Sequence, residues 1–187
     1  VLAIAIYVAY AFSGVVSGIS IWSFAIITIL TLFHDVVIST GLYIATSMYL
    51  PEFKIDTFFV TALLTILGYS INDTIVIFDR IRSNLMKFGW KKWENGKNLQ
   101  EIIDLSISQT IVRSIYTSLT LLFVLITIFL FGPETISGFV LVMIFGTVVG
   151  TYSSIFIASP LLYLANKNKK LSIYKKAVYN PDDKIVV

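Results

Sequence analysis

The sequence predicts an all-α membrane protein, a polytopic bundle of five membrane helices of which the first is incomplete. Hydrophobic residues make up 57% of the 187 residues, and charged residues only 13%, about half the share in an ordinary soluble domain. The apolar runs are long enough for helices that cross a hydrocarbon core of about 30 Å, which takes about 20 residues. They are too long and unbroken for the strands of a membrane β-barrel, which alternate over about 10 residues.

The first two apolar runs are separated by a turn of small residues. The run over residues 1–12 is too short to span a bilayer and lacks the basic flank and cleavage site of a signal peptide. We interpret it as the end of a helix that begins upstream. The turn "SGVVSGIS" follows, and the second run extends over about residues 22–48. It carries "LFHDVVIST", which places His34 and Asp35 near its middle.

Three further apolar runs complete the predicted bundle. They cover about residues 57–78, 105–131 and 136–164. A break with Pro51 precedes the first of these, and the tight turn "GPE" precedes the last. Residues 79–104 read as a polar, charged connector. We therefore expect a transmembrane bundle over residues 1–166 and a basic tail over residues 167–187.

The positions of Lys and Arg predict the orientation of the helices. Of the 14 basic residues, six lie between positions 80 and 97 and six between positions 167 and 184. Short loops rich in Lys and Arg stay in the cytoplasm. We therefore expect the connector and the C-terminus to be cytoplasmic, and the loops at 49–56 and 132–135 to be outside. Five crossings then place the beginning of the chain outside.

The fourth and third runs carry polar residues that a lipid environment does not favour. A stripe at three- and four-residue steps follows one face of the fourth run: Ser106, Gln109, Thr110, Arg113, Thr117 and Thr120. In the third run, "GYSINDTIVIFDRIR" places Asp73 within an apolar stretch, with Ser70 on the same side of the helix. Asp73 and Arg113 each lie roughly 10 Å from the connector end of antiparallel neighbours. A pairing between them is geometrically feasible.

Two interpretations of this pair remain. A charged residue near a helix centre costs about 2.5–3.5 kcal/mol on insertion scales, so the two residues need a partner or a function. They either form a fixed ion pair that joins two helices or act as a proton relay, and ionisable residues within membranes are functional by default. For His34 and Asp35, polar packing between helices and a role in a proton relay are equally favoured interpretations. The predicted supporting residues are Ser70, Asn72, Thr74, Thr117, His34 and Asp35.

The fifth run carries small residues at four-residue steps, Gly146, Gly150 and Ser154. This spacing is typical of a face on which two helix backbones approach closely. The chain has no cysteine and one histidine, which excludes disulfides, thiolate metal sites and multi-histidine metal sites. We expect neither a metal nor a cofactor.

Several of these segments resemble the SecD/SecF family of bacterial protein-export membrane proteins, and its SecF branch in particular. "GYSINDTIVIFDRIRSNL" is similar to the fourth transmembrane segment of SecF and "LFHDVVISTG" to the third. "TIVRSIYTSLT" and "GTYSSIFIASPLL" look like the fifth and sixth. The resemblance covers about residues 22–164, and the GYS-x-NDT-x-V-x-FDRIR pattern is highly specific.

The resemblance implies a fold and a function. The fold is that of one half of an RND-type transporter in the bacterial inner membrane. The function is non-enzymatic: proton flow assists a late stage of protein export, with Asp73 and Arg113 implicated in proton transport. The implied partners are SecD, the SecYEG channel, YajC, the translocating polypeptide, protons and membrane lipid, with no nucleic acid.

Three other functions compete with this one. A small-solute exporter of the RND type shares the fold class, and a purely structural subunit needs no ion path. An intramembrane aspartyl protease is suggested by Asp35 and Asp73 in successive helices. Such proteases carry a GxGD motif at the second aspartate, whereas this sequence reads Ser70-Ile71-Asn72-Asp73, which disfavours a protease.

Overall fold

The computed structural model describes residues 21–50, 52–92 and 99–166, and these residues form helices and no strand. The elements are α1 (Ile21–Tyr49), α2 (Thr57–Lys92), α3 (Leu99–Phe131), a 3-10 turn (Glu134–Ile136), α4 (Ser137–Ser153), a π-helical segment (Ser154–Ala158) and α5 (Ser159–Asn166). The four segments Trp22–Tyr49, Thr57–Leu85, Leu99–Phe131 and Glu134–Asn166 are long and apolar enough to cross a membrane. The predicted all-α class is confirmed. The first apolar run and the basic tail lie outside the described residues.

Helix α4 lies at the centre of the bundle, where it packs against α1, α2 and α3. It continues through the π-helical segment into α5 as one long span. Pro160, which lacks an N–H group, follows two residues after the π-helical segment. A proline and a π-type turn are both recognised causes of distortion in a long helix.

Two helix boundaries differ from the sequence prediction. The third run was expected to end at residue 78, but α2 continues to Lys92, and α3 begins at Leu99 rather than at 105. The charges at 79–82 therefore do not end the helix. Ile77, Ile81 and Leu85, at four-residue steps, remain buried and extend the apolar face of α2 through the polar stretch. Most of the predicted connector is thus helical.

The connections between helices are fixed by specific contacts. Asp56 Oδ1 accepts a hydrogen bond of 2.9 Å from the N–H of Phe59 and so caps the first turn of α2. The hydroxyl of Tyr43 donates to the carbonyl of Lys54 at 3.0 Å, which ties this loop to α1. At the end of α3, a Cβ added to Gly132 would lie 2.3 Å from the Ile128 carbonyl oxygen. The turn therefore requires glycine.

The interior consists of two apolar clusters with a polar layer between them. We call the side of residues 50–56 and 132–136 the hairpin end, and the side where α2 and α3 are joined the charged end. The hairpin-end cluster contains Tyr43, Phe59, Ala62, Ile66, Leu125, Val140, Val142 and Met143. The charged-end cluster contains Phe24, Ile27, Ile77, Phe78, Ile81, Leu85, Leu99, Ile102, Ile103, Ile155, Ala158 and Leu162. The polar layer contains the buried side chains Asp35, Ser70, Asp73, Ser114, Ser118, Ser153 and Ser154.

A buried carboxylate layer as the candidate functional site

Asp35 of α1 is fully buried, at 0% exposure. Its Oδ2 accepts hydrogen bonds from the hydroxyls of Ser70 on α2 and Ser153 on α4, the latter at 2.8 Å. Its Oδ1 lies 3.0 Å from Nδ1 of His34, whose ring is partly exposed. Asp35 therefore joins three helices through one carboxylate.

Asp73 of α2 is also buried, at 7% exposure. Its Oδ1 accepts a hydrogen bond of 2.8 Å from the hydroxyl of Ser114 on α3. Its Oδ2 accepts one of 2.8 Å from the hydroxyl of Ser154. In the described part of the chain, neither Asp73 nor Asp35 forms an ion pair with a lysine or arginine. The partners of the two carboxylates are thus serine hydroxyls, with one imidazole beside Asp35, rather than the side chains of lysine or arginine.

Two neighbouring residues of the central helix connect the carboxylates. Ser153 is the last residue of α4 and Ser154 the first of the π-helical segment. Successive helical residues differ in direction by about 100°, so Ser153 turns toward α1 and Ser154 toward α2. The two serines consequently hold Asp35 and Asp73 from one point on the same helix.

A second group of hydroxyls lies about one helical turn nearer the hairpin end. The Ser118 hydroxyl lies 2.7 Å from the Tyr69 hydroxyl and 2.6 Å from the Thr151 hydroxyl. The Ser118 hydroxyl also lies within donating distance of the Ser114 carbonyl, at 2.8 Å. This group joins α2, α3 and the central helix directly beside the carboxylates.

Among the described residues, Arg113 forms no ion pair with Asp73. The side chain of Arg113 is exposed, and the position next to it, Ser114, binds Asp73 instead. Arg113 lines a cleft of about 390 Å³ between α2 and α3, toward the charged end, with Asp79 and Arg80. The remaining lining residues are Ile75, Val76, Ser83, Gln109 and Thr110. The pairing of Asp73 with Arg113 that the spacing made feasible is therefore not seen among the described residues.

The other predicted supporting residues occupy different environments. Thr74 is buried, and its hydroxyl donates to the Ser70 carbonyl at 3.1 Å. Asn72 and Thr117 are exposed, and Thr117 donates to the carbonyls of Arg113 and Ser114, each at 3.0 Å. Asn72 and Thr117 thus lie outside the carboxylate layer.

The small-residue face of the central helix turns toward α2. A Cβ added to Gly146 would lie 2.2 Å from Cγ1 and Cδ1 of Ile66. One added to Gly150 would lie 3.2 Å from Cβ of Ser70, the residue that binds Asp35. The third member of the predicted packing face, Ser154, donates to Asp73. Close helix packing and carboxylate binding therefore share one face.

Three residues of the site were missed by the sequence analysis: Ser114, Ser118 and Ser153. The signal for the first two was present, because Ser106, Thr110, Ser114 and Ser118 repeat at four-residue steps on α3. All four are buried. A face of small hydroxyl residues was therefore a better indicator of the buried side than the stripe that included Arg113. Among the described residues, no group of three or more His, Cys, Asp or Glu side chains could hold a metal ion.

Comparison with known proteins places this geometry in a family. The family model "Protein export membrane protein SecD/SecF, C-terminal" matches residues 1–168. A protein translocase subunit SecF from Sebaldella termitidis is 46% identical over 149 residues, covering 80% of this chain and 45% of the relative. The SecF subunit of Thermobaculum terrenum is 39% identical over 170 residues, covering 91% of this chain and 50% of the relative. The chain thus spans about half the length of these curated relatives.

A solved structure gives the same result. The crystal structure of SecDF from Thermus thermophilus, described as a translocon-associated membrane protein, matches with a TM-score of 0.66 and 36% identity. The match covers 86% of this chain and 20% of the SecDF chain. The family model, the curated relatives and the solved structure agree, and the chain belongs to the SecD/SecF family of protein-export membrane proteins.

Proposed function

We propose that this chain forms membrane-spanning helices of a SecF-type subunit, which couples proton flow to a late stage of protein translocation across the bacterial inner membrane. The observation that carries the proposal is the buried carboxylate layer, in which Asp73 is held by hydroxyls alone between apolar helices. A permanently ionised carboxylate there has a large desolvation cost. A carboxylate that takes up and releases a proton avoids that cost for part of its cycle.

In this proposal Asp73 is the proton-binding group. A hydroxyl can donate to a carboxylate or accept from a carboxylic acid, so serine partners suit both protonation states. The contacts of Asp73 offer no support for the fixed ion pair with Arg113. We assign Arg113 to the charged-end mouth of the relay, where it lines the cleft with Asp79 and Arg80. Asp35, with His34, Ser70 and Thr74, supports the layer.

The proposed function requires partners. We propose SecD, the SecYEG channel and YajC as protein partners, with the translocating polypeptide as cargo and no nucleic acid. The match covers 20% of the SecDF chain, so most of that chain lies outside the matched helices. In our proposal, a second bundle of helices packs against this one. The exposed apolar side chains of α3, among them Val112, Ile115 and Leu119, suit contact with lipid or with such a bundle.

Two other functions are less well supported. A small-solute exporter could use the same carboxylates, but the curated relatives named above are protein translocase subunits. A purely structural subunit would have no use for two buried carboxylates, which are more costly in a membrane than apolar side chains.

The proposal is tested by protein translocation into inner-membrane vesicles, prepared from cells that do or do not express the subunit. The proton-motive force is imposed or dissipated after the ATP-driven step is complete. We expect the force to accelerate completion of translocation only in vesicles that contain the subunit. Equal acceleration in vesicles with and without the subunit would contradict the proposed function.

A labelling experiment tests the proposed orientation. The chain has no cysteine, so single cysteines introduced at the exposed Lys87 and Glu52 report on opposite ends of the bundle. In intact cells a membrane-impermeant thiol reagent, applied after the outer membrane is permeabilised, should label Glu52→Cys and not Lys87→Cys. Both should be labelled after lysis. Labelling of Lys87→Cys alone in intact cells would reverse the orientation.

A further inference from the structure

Four serine hydroxyls bind the two carboxylates, and they are not equivalent. The Ser154 hydroxyl lies 2.8 Å from Asp73 Oδ2 and also 3.1 Å from the carbonyl oxygen of Thr151 on its own helix. The Ser153 hydroxyl likewise lies 2.8 Å from Asp35 Oδ2 and 3.2 Å from the Gly150 carbonyl. A serine carries one hydroxyl hydrogen, so each of these groups must choose between two acceptors.

Ser114 has no such choice. Among the described hydrogen bonds, its hydroxyl donates only to Asp73 Oδ1, at 2.8 Å. If a proton binds Asp73 on Oδ1, the hydrogen of the Ser114 hydroxyl is displaced and has no other acceptor among the described hydrogen bonds. A proton on Oδ2 meets a serine whose hydrogen has a second acceptor within reach.

We propose that Ser154 is a hydroxyl rotor that allows Asp73 to change its protonation state without losing a hydrogen bond. This inference rests on the proposed proton relay. In the ionised state, Ser154 donates to Asp73 Oδ2, because a hydrogen bond to a charged acceptor is the stronger one. When a proton adds to Oδ2, the Ser154 hydrogen turns to the Thr151 carbonyl, and the new carboxylic O–H donates to Ser154 Oγ. One O–H bond forms, on Oδ2, and one O–H bond of the hydrated proton that delivers it breaks, leaving water, while the O–H bond of Ser154 stays intact.

The location of Ser154 supports this role. It opens the π-helical segment, a type of turn that is frequent at functional sites. The titratable groups around the rotor are Asp35 and His34 of α1 and Tyr69 of α2, the last linked through Ser118. Arg113 of α3 is exposed and, among the described residues, forms no ion pair with Asp73. Ser154 thus acts as a positioning residue, since it acts through Asp73.

The test uses two variants of nearly equal shape. Ser154→Thr keeps a hydroxyl and adds a methyl group, whereas Ser154→Val adds the same bulk and has no hydroxyl. Both are made in the complete subunit assembled with its partners, and force-dependent stimulation of translocation is measured per assembled complex. We expect Ser154→Thr to keep at least half of the wild-type stimulation. In Ser154→Val, force-dependent stimulation should fall about three- to tenfold, which is the effect expected from the loss of one hydrogen bond.

Ser154→Ala and Ser114→Ala form a second comparison, which adds no volume. Each variant removes one hydroxyl donor to Asp73, but only Ser154→Ala removes the rotor. The stimulation of translocation should therefore fall about threefold further in Ser154→Ala than in Ser114→Ala. Equal losses in the two alanine variants, or equal stimulation in the Thr and Val variants, would overturn the rotor. The proposed function would fail differently, through an Asp73→Asn variant that retains full stimulation.

Discussion

The Asp73→Asn variant is expected to lose at least tenfold of the force-dependent stimulation of protein translocation while remaining folded. Asparagine has nearly the same shape as aspartate but cannot ionise, so it imitates the protonated state permanently. Its amide can donate to Ser154 Oγ if the Ser154 hydrogen turns to the Thr151 carbonyl, 3.1 Å away. Moving one charge across the membrane supplies about 2.3 kcal/mol per 100 mV, which a permanently neutral group cannot use. The measurement is translocation in vesicles with and without a proton-motive force.

Asp104→Asn is the matched control for that variant. Asp104 is an exposed aspartate of α3, and the change removes the same charge outside the carboxylate layer. We expect it to retain wild-type stimulation. Full stimulation by Asp73→Asn, in complexes recovered at the wild-type level, would leave only a structural role for the buried carboxylate.

The Gly146→Ala variant is expected to lower the stability of the bundle. The added Cβ would lie 2.2 Å from Cγ1 and Cδ1 of Ile66, a side chain that is itself buried in the hairpin-end cluster. Overpacking of this kind lowers the free energy of unfolding by about 1–3 kcal/mol. The gain of alanine over glycine within a helix is smaller, roughly 0.5–1 kcal/mol. The measurement is the midpoint of thermal unfolding of the purified protein in detergent.

Gly41→Ala provides the opposite expectation. A Cβ added to Gly41 meets nothing within 4 Å, so only the helix-propensity gain remains and the midpoint should rise or stay unchanged. A Gly146→Ala protein as stable as Gly41→Ala would show that α2 and the central helix are not in tight contact at this point.

The membrane helices were predictable because long apolar runs have few other stable forms in a bilayer. Their ends at the hairpin loops were also close to prediction, since Asp56 and Gly132 are local signals that act within one turn. The charged end was not predictable in this way. The first charges after residue 78 predicted the end of a helix, but charged residues mark only the end of the apolar environment, and a helix can continue beyond it. The burial of Ile81 and Leu85 against α3 is a tertiary effect.

The aspartates of the site were predictable, but two of their partners, Ser114 and Ser153, were not. Arg113 and Ser114 are neighbours on α3, about 100° apart, and polarity alone favours the arginine as the partner of a carboxylate. The long arginine side chain can reach polar surroundings near the helix end, and it lies in the cleft at the charged end. Serine is small enough to be enclosed between helices, where its hydroxyl satisfies Asp73. Ser153 could not be assigned from the sequence, because the side of the central helix that faces α1 is set by tertiary packing.

The wide turn at Ser154–Ala158 also limits how the chain can change in length. A π-type turn arises where a helix accommodates one extra residue, so the residues beyond it are rotated by about 100° relative to an uninterrupted helix. Deletion of a single residue within this turn would restore the regular helix and leave α5 facing nearly the same way, because the turn already absorbs that residue. Leu162 would stay in the apolar cluster that encloses it, and Asn166 would stay on the side of Ser23. A single-residue deletion between residues 155 and 157 should therefore disturb α5 less than one between residues 159 and 165, which would rotate the rest of α5 by about 100°.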